Sequence, residues 1–391
     1  MRTNIPRTLI ATVASATAAA FLTVSAQAEN GVTNDKILFG QAAALEGPAA
    51  ALGKGMQLGI QAAFAEANRA GGINGRKLEL KSYNDSYEPE ASMEAVKRLM
   101  NTDKVFALIG PVGTPTSKAT QPIATKAKVP FIGPFTGAGF LRNHELGNIA
   151  NVRATYAAET EAWIKHLTED LGHTRIALLY QDDAFGRVGL KGVTAALEKR
   201  NMELVAKGTY IRNTTAVKSA LIDIRRKRPQ AVVMVGAYKP IAKFIKVARS
   251  IDFNPAFVNI SFVGSKALAK ELGPDGTDVI ISQVVPFPWE TSIPLVKNYQ
   301  AALKAHDANA EPGFVSLEGY MVGKLTVMTL KNMEGDVTRD SFMKTIWKTE
   351  TYDLGGVTLN FGPKDNQGMD QVFMTQINAD GTFRPVAKLT M

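Results

Sequence analysis

A chain of 391 residues has room for two or three domains, each with an ample core. Its 45% hydrophobic and 21% charged composition excludes wholesale disorder. The absence of cysteine excludes disulfides, thiol catalysis, thiolate metal sites and a lipid-modified N-terminal cysteine.

Arg2 and Arg7 precede a run of apolar and small residues, Leu9 to Val24, that ends in Ala26-Gln27-Ala28. This is the pattern of a cleavable secretory signal over residues 1–28. The run is too short and too rich in Ala, Thr and Ser for a membrane anchor. Removing it with its two arginines leaves 363 residues and a net charge of +7. A free periplasmic protein is expected. The basic residues are scattered except for Arg225-Arg226-Lys227-Arg228, read as a solvated helix end stopped by Pro229 rather than a nucleic-acid contact.

From Asn30 onward, strand-like apolar runs alternate with segments of helical period. Strands are expected at Ile37–Ala43 and Lys77–Tyr83, and helices at Gly55–Ala70 and Glu88–Met100. Two short apolar runs follow, Val105–Ile109 and Val129–Ile132, each closed by a small-residue turn, with a crossover helix between them at Thr114–Lys128. Such βα units make a parallel sheet, whose ligand crevice lies beyond the carboxyl ends of the strands. The turns Gly110–Thr114 and Gly133–Gly139 therefore read as a cradle for an acid or a polar head group.

The pattern restarts after Asn151. Helices are expected at Tyr156–Leu171, Gly186–Arg200, Thr215–Lys227 and Pro240–Ser250. Strands are expected at Thr174–Tyr180, Glu203–Tyr210, Ala231–Val235, Phe257–Val263 and Val279–Val285. The tail reads as helices Pro294–His306, Ser316–Asn332 and Arg339–Lys348, then short strands near Val357–Phe361, Gln371–Ile377 and Phe383–Leu389. The expected fold is α/β, with two doubly wound Rossmann-like lobes joined by a three-segment hinge near residues 152, 285 and 355. Lobe one would hold residues 29–151 and 286–354, and lobe two residues 152–285 and 355–391. A hinge between lobes makes a closing cleft, and ligand pockets favour such interfaces.

Gly53-Lys54-Gly55 with Gly59 imitates a dinucleotide loop, but its G-x-G-x-x-x-G spacing is one residue too long, and a close-packed helix start explains it better. His144, His166, His173 and His306 have no metal-ligand spacing, and neither a nucleophile elbow nor a zinc-protease motif occurs. Asp182-Asp183 ends a strand, where capping of the next helix or acceptance of a ligand hydrogen bond outweighs acid–base chemistry. No enzyme and no cofactor is expected. Tyr156, Phe185, Tyr238, Phe262 and Trp289 fall at or beyond strand ends and together suggest an aromatic-lined cleft.

Six stretches, taken in order, resemble one family: Glu46-Gly47-Pro48, Ala70–Gly75, Tyr83-Asn84-Asp85, Ile109-Gly110-Pro111, Gln181–Gly186 and Gly236–Pro240. Over its whole length after residue 28 the chain resembles the type I periplasmic solute-binding proteins of ABC importers, in the leucine/isoleucine/valine-binding branch. The resemblance implies a monomer that clamps a small molecule between two lobes and delivers it to an inner-membrane permease. A sensing partner of a membrane receptor would use the same fold.

By the same resemblance, Thr114 and the turn Phe135-Thr136-Gly137 would hold a ligand carboxylate. Tyr156, Asp183, Phe185, Tyr238 and Phe262 would close over the rest. Ser261 falls where binders of α-amino acids place a carboxylate for the ammonium. Either Asp183 or Glu318 substitutes for it, or the ligand has no amine, as in the sub-branch that binds aromatic acids. The expected ligand is a branched-chain or hydrophobic amino acid or an aromatic acid.

Overall fold

The computed structural model describes residues 29–390 together with Met1, so the signal expected over residues 1–28 lies, Met1 aside, outside the described residues. The first half builds one sheet from β1 (Lys36–Ala43), β2 (Lys77–Asn84), β3 (Ala107–Ile109), β4 (Phe131–Ile132) and β5 (Ile149–Ala150). Their spatial order is β2-β1-β3-β4-β5, and every pairing is parallel. Helices α1 (Ala50–Arg69), α2 (Pro89–Asn101) and α3 (Thr114–Lys126) make the crossovers. Strands covered on both faces need continuous apolar sequence, and β3 and β4 are buried at every position.

The expected start of α1 at Gly55 is late by more than a turn. The glycines there serve close approach rather than a bend. A Cβ on Gly53 would sit 1.9 Å from the Ala44 carbonyl oxygen, and one on Gly59 would sit 2.0 Å from that of Ser316. Gly319 meets α1 in the same way, against the Met56 carbonyl oxygen at 2.4 Å. Glycines on both helices therefore let α1 and α10 (Phe314–Asn332) pack backbone to backbone.

The second sheet runs β14-β13-β10-β9-β8-β6-β7. Its parallel strands are β6 (Ile176–Gln181), β7 (Ala206–Tyr210), β8 (Ala231–Val235), β9 (Ala256–Asn259) and β10 (Ile280–Gln283). Its helices are α4 (Tyr156–Lys165), α5 (Ala184–Glu198), α6 (Lys218–Arg226), α7 (Tyr238–Arg249) and α8 (Ser265–Leu272). The tail adds an antiparallel edge, β13 (Phe373–Ile377) and β14 (Phe383–Val386). The strand expected through Val263 stops at Asn259. Ser261–Val263 is instead a 3-10 turn that Gly264 closes at φ +79°.

After β10 the chain returns to the first lobe, where α9 (Pro294–His306), α10 and α11 (Arg339–Thr349) pack. A two-stranded ribbon, β11 (Thr351–Asp353) with β12 (Thr358–Asn360), stays with these helices. The Tyr352 hydroxyl meets Thr329 Oγ1 of α10 at 3.1 Å, and the Gly355 carbonyl accepts from Leu295 N at 2.8 Å. We therefore place the three crossings at residues 151–155, 284–293 and 361–372, the last of them later than the expected 355.

Candidate functional site

Lobe one supplies a hydroxyl wall. Gly113, at φ +105°, lets β3 turn into α3, because a Cβ there would lie 2.2 Å from the Tyr87 ring. Thr114 opens α3 and its Oγ1 lies 2.7 Å from Thr136 Oγ1, so the two turns after β3 and β4 meet through paired hydroxyls. Both threonines are fully buried. Gly137 admits Tyr156, since a Cβ there would clash with the tyrosine backbone and ring at 2.6 Å. The Ser117 hydroxyl, one turn into α3, is buried without a partner. The helix start brings a partial positive field and free N–H groups to this wall.

Aromatic rings from both lobes close over it. Phe262, on the 3-10 turn after β9, lies 4.7 Å from Phe185, 5.3 Å from Phe135 and 5.7 Å from Tyr87, between ring centroids. Tyr156 adds to the row, 5.4 Å from Phe185. All five rings are essentially inaccessible to solvent. Tyr87 carries φ +62°, in a left-handed stretch that starts at Ser86 and turns its ring inward.

Beneath the rings lies a buried charged group in which Glu318, named above as a possible counter-charge, is joined by Arg153 and Glu159, which the sequence pattern gave no reason to single out. Arg153, on the first crossing, stacks its guanidinium over Phe135 at 4.8 Å and over Tyr156 at 5.6 Å. Glu159 Oε1 stands 3.7 Å from its Nη2, and Glu318 Oε1 stands 3.5 Å from its Nε. Arg153 Nη2 also donates to Ser261 Oγ, but Nε and Nη1 make no hydrogen bond. The Nε–Glu318 contact is an ion pair in distance without hydrogen-bond alignment.

Glu159, in the first turn of α4, accepts from Ser261 N at 2.9 Å, from Ser261 Oγ at 2.9 Å and from Ser282 Oγ. A carboxylate therefore does stand at Ser261, but it comes from another element and already accepts three hydrogen bonds beside Arg153. Burial pushes Glu318 up to about 7 against the pull of Arg153, with Glu159 adding to the rise. Burial also disfavours the charge on Arg153, yet Glu318, Tyr156 and Glu159 outweigh it and the pKa stands above its usual value.

The chain matches the model of the periplasmic binding protein family over residues 36–382. It belongs to that family. The solved structures like it include a possible leucine/isoleucine/valine-binding protein from Rhodopirellula baltica, 36% identical, with a TM-score of 0.87 and coverage of 93% of this chain and 98% of that one. A substrate-binding periplasmic protein from Ralstonia solanacearum is 25% identical at a TM-score of 0.85, covering 90% and 100%. The Leu/Ile/Val-binding protein homolog 7 of Brucella abortus is 23% identical over 302 residues, 74% of this chain and 75% of its own. These matches place the chain in the leucine/isoleucine/valine-binding branch of the type I fold, whose members are solute-binding proteins rather than enzymes.

In this solute-binding protein the expected cleft residues do not all converge. Thr114, Phe135, Thr136, Gly137, Tyr156, Phe185, Ser261 and Phe262 are brought together in one packed cluster between the lobes. Asp183 does not offer a free carboxylate. It caps α5 through the amides of Phe185 and Gly186, accepts from Gln181 Nε2 at 2.7 Å, and pairs with Arg212 Nη1 at 3.1 Å. Tyr238 stands at the rim, its hydroxyl accepting from Ala51 N at 3.4 Å across the lobes. Trp289 lies outside the row altogether, 37% exposed and stacked on Phe383 at the second crossing.

The two lobes are closed on each other. Gln181 Nε2 of lobe two donates to the Tyr87 hydroxyl of lobe one at 3.3 Å. Asn213 Nδ2 donates to Glu88 Oε1 at 2.7 Å and to the Ser86 carbonyl at 3.1 Å, and Arg212 pairs with Glu88 beside it. Lys266 and Glu311 pair at 2.7 Å on the opposite rim. No His, Asp and Glu group suited to a metal occurs among the described residues, nor any helix long and apolar enough to cross a membrane.

Proposed function

We propose that the protein is the periplasmic substrate-binding component of an ABC importer, that it captures a small carboxylate with an apolar or aromatic body, and that a membrane permease receives the ligand. The observation that carries the reading is Arg153, a fully buried guanidinium with two nitrogens that make no hydrogen bond, stacked on two members of an aromatic row. Arginine presents a rigid fork that matches a carboxylate, and buried N–H groups without acceptors are costly until one arrives. Thr114, Thr136 and the start of α3 would take the same head group from the lobe-one side. Phe135, Gly137, Tyr156, Phe185 and Phe262 would enclose the body, while Ser261 and Glu159 would hold Arg153 in place.

An amine-free acid is the favoured ligand. Asp183 accepts four hydrogen bonds, and Glu159 accepts three with Arg153 beside it, so neither offers a free charge to a buried ammonium, which costs several kcal/mol when left unpaired. An α-amino acid is the second reading, favoured by Glu318, which makes no hydrogen bond among the described residues, and by the names of the curated relatives. A thermal-shift screen of protein stripped of carried-over ligand separates the two. Benzoate, hydroxybenzoates and phenylpropanoid acids, set against leucine, valine and phenylalanine, should raise the midpoint by several degrees when well above their Kd. Stabilisation by amino acids alone would overturn the amine-free assignment, and no stabilisation by either set would overturn the carboxylate reading.

A further inference from the structure

The basic run Arg225-Arg226-Lys227-Arg228 has no part in the cleft. The cleft follows the carboxyl ends of the second sheet, whereas this run closes α6 beside the amino ends of β6, β8 and β9. All four side chains are exposed, and none of them lies within ion-pair distance of a carboxylate among the described residues. The turn is nevertheless pinned. Arg175 donates to the carbonyls of Lys227 and Arg228, Arg225 Nη2 donates to the Ile251 carbonyl at 3.1 Å, and Arg228 is held at φ +48°. The backbone of the turn and the Arg225 side chain are therefore held in place, and the side chains of Arg226 and Arg228 extend from that fixed turn into solvent.

Three of these arginines line a surface groove of about 840 Å³ whose apolar floor includes Ile222, Ile251, Phe253 and Pro255. His173 lines it too, 5% exposed, with Nδ1 buried and unpartnered. Burial lowers the pKa of this imidazole below its ordinary value.

We propose that this groove is a second binding site, for a phosphoryl group carried on an apolar body. A carboxylate saturates one guanidinium fork, whereas a phosphoryl group offers three oxygens to several forks at once. The floor then takes the ester's apolar part. An anionic phospholipid head group and a free phosphate monoester share this chemistry.

The test titrates the protein with phenyl phosphate by calorimetry, and floats it with phosphatidylcholine vesicles made with and without phosphatidylglycerol. The Arg226→Gln/Arg228→Gly double variant should bind about tenfold more weakly or worse, with an unchanged unfolding midpoint, since Arg226 is unpaired and glycine suits the φ of residue 228. Arg153→Lys reports separately on any phenyl phosphate in the cleft and should leave the distal site intact. Binding of both probes, weakened by the double variant, supports the site. Binding of the phosphatidylglycerol vesicles alone supports a lipid head group as the source, and binding of phenyl phosphate alone a free ester. Failure of the protein to bind either probe, or binding that the double variant retains in full, overturns the proposal.

Discussion

Arg142 and Arg153 flank the start of the first crossing and differ in how far their donors are satisfied. Arg142 ends the 3-10 turn Gly139–Arg142 and directs every arm of its guanidinium at an acceptor. Nη1 donates to the carbonyls of Thr136 and Ala138 at 2.8 and 3.0 Å, Nη2 to that of Arg153 at 3.1 Å, and Nε to Gln367 Oε1 at 3.0 Å. It thereby ties the lobe-one turn to the first and third crossings. Burial, with Arg153 nearby, pulls it down to about 9, which still leaves it protonated at neutral pH. Arg153 is the more deeply buried of the two, yet two of its nitrogens make no hydrogen bond. Burial alone does not tell a structural charge from a ligand-facing one. What separates these two is that Arg153 keeps donors open for the proposed carboxylate.

The largest effect is expected from Arg142→Ala. Three backbone carbonyls would lose their donor at a hinge, at a cost of about 2–4 kcal/mol in urea unfolding. An unchanged midpoint would show that the clip is redundant. Arg153→Lys should do the reverse. It keeps the charge beside Glu159 and Glu318, so stability should change little, but it loses the planar fork over Phe135. Affinity for a carboxylate ligand should fall by about 1.5–3 kcal/mol, or tenfold to a hundredfold, by calorimetry. Equal affinity would remove Arg153 from the binding site and leave the comparison without its second half.

Glu318 sharpens the contrast through pH. Its folded pKa of about 7 lies above the ordinary value of 4.5, so the folded state binds more protons between those values. Its contribution to stability is therefore complete below pH 4.5 and is lost as pH rises through 7, with a slope of about 1 kcal/mol per pH unit at most. Glu318→Gln should remove that dependence, and the gap in unfolding midpoint between variant and parent should widen from pH 5 toward pH 8. The same ionisation places a second negative charge beside Arg153. Binding of an amine-free acid should weaken as pH rises through 7 in the parent and stay flat in the variant. Parallel pH profiles would mean that Glu318 does not titrate in this range.

Most of the fold was legible because its strands announce themselves. Ala231–Val235 is five apolar residues between Pro229-Gln230 and a glycine, and it folds as that strand. Two- and three-residue strands such as Ile149–Ala150 and Thr351–Asp353 carry no period to read, and the late third crossing follows from the ribbon that the second of these builds. The hydroxyl wall was legible because Thr114 and Thr136 each follow a strand by a small-residue turn. Arg153, Glu159 and Glu318 were not found as a group, since they come from a crossing, a helix start and a returning helix, and only the fold brings them within 4 Å. Tyr87 was hidden in a stretch with positive φ that nothing in Ser86-Tyr87 advertises.

The smallest effect probes closure itself. Glu88 on lobe one receives Arg212 and Asn213 from lobe two, and its side chain is 41% exposed, so the pair is screened and contributes about 0.2–1 kcal/mol. These bonds exist only when the lobes are shut. Removing them acts on the open–closed equilibrium rather than on any contact to the ligand, and affinity falls by the share of binding that closure supplies. Glu88→Ala should therefore weaken every ligand by the same factor, at most about fivefold, whatever its head group. Arg153→Lys should instead discriminate, weakening carboxylates and sparing their amides. Scattering at saturating ligand should still show the compact form for Glu88→Ala, because excess ligand drives closure by mass action. If that variant stayed extended at saturation, Glu88 would be a determinant of the closed state and not a minor strut within it.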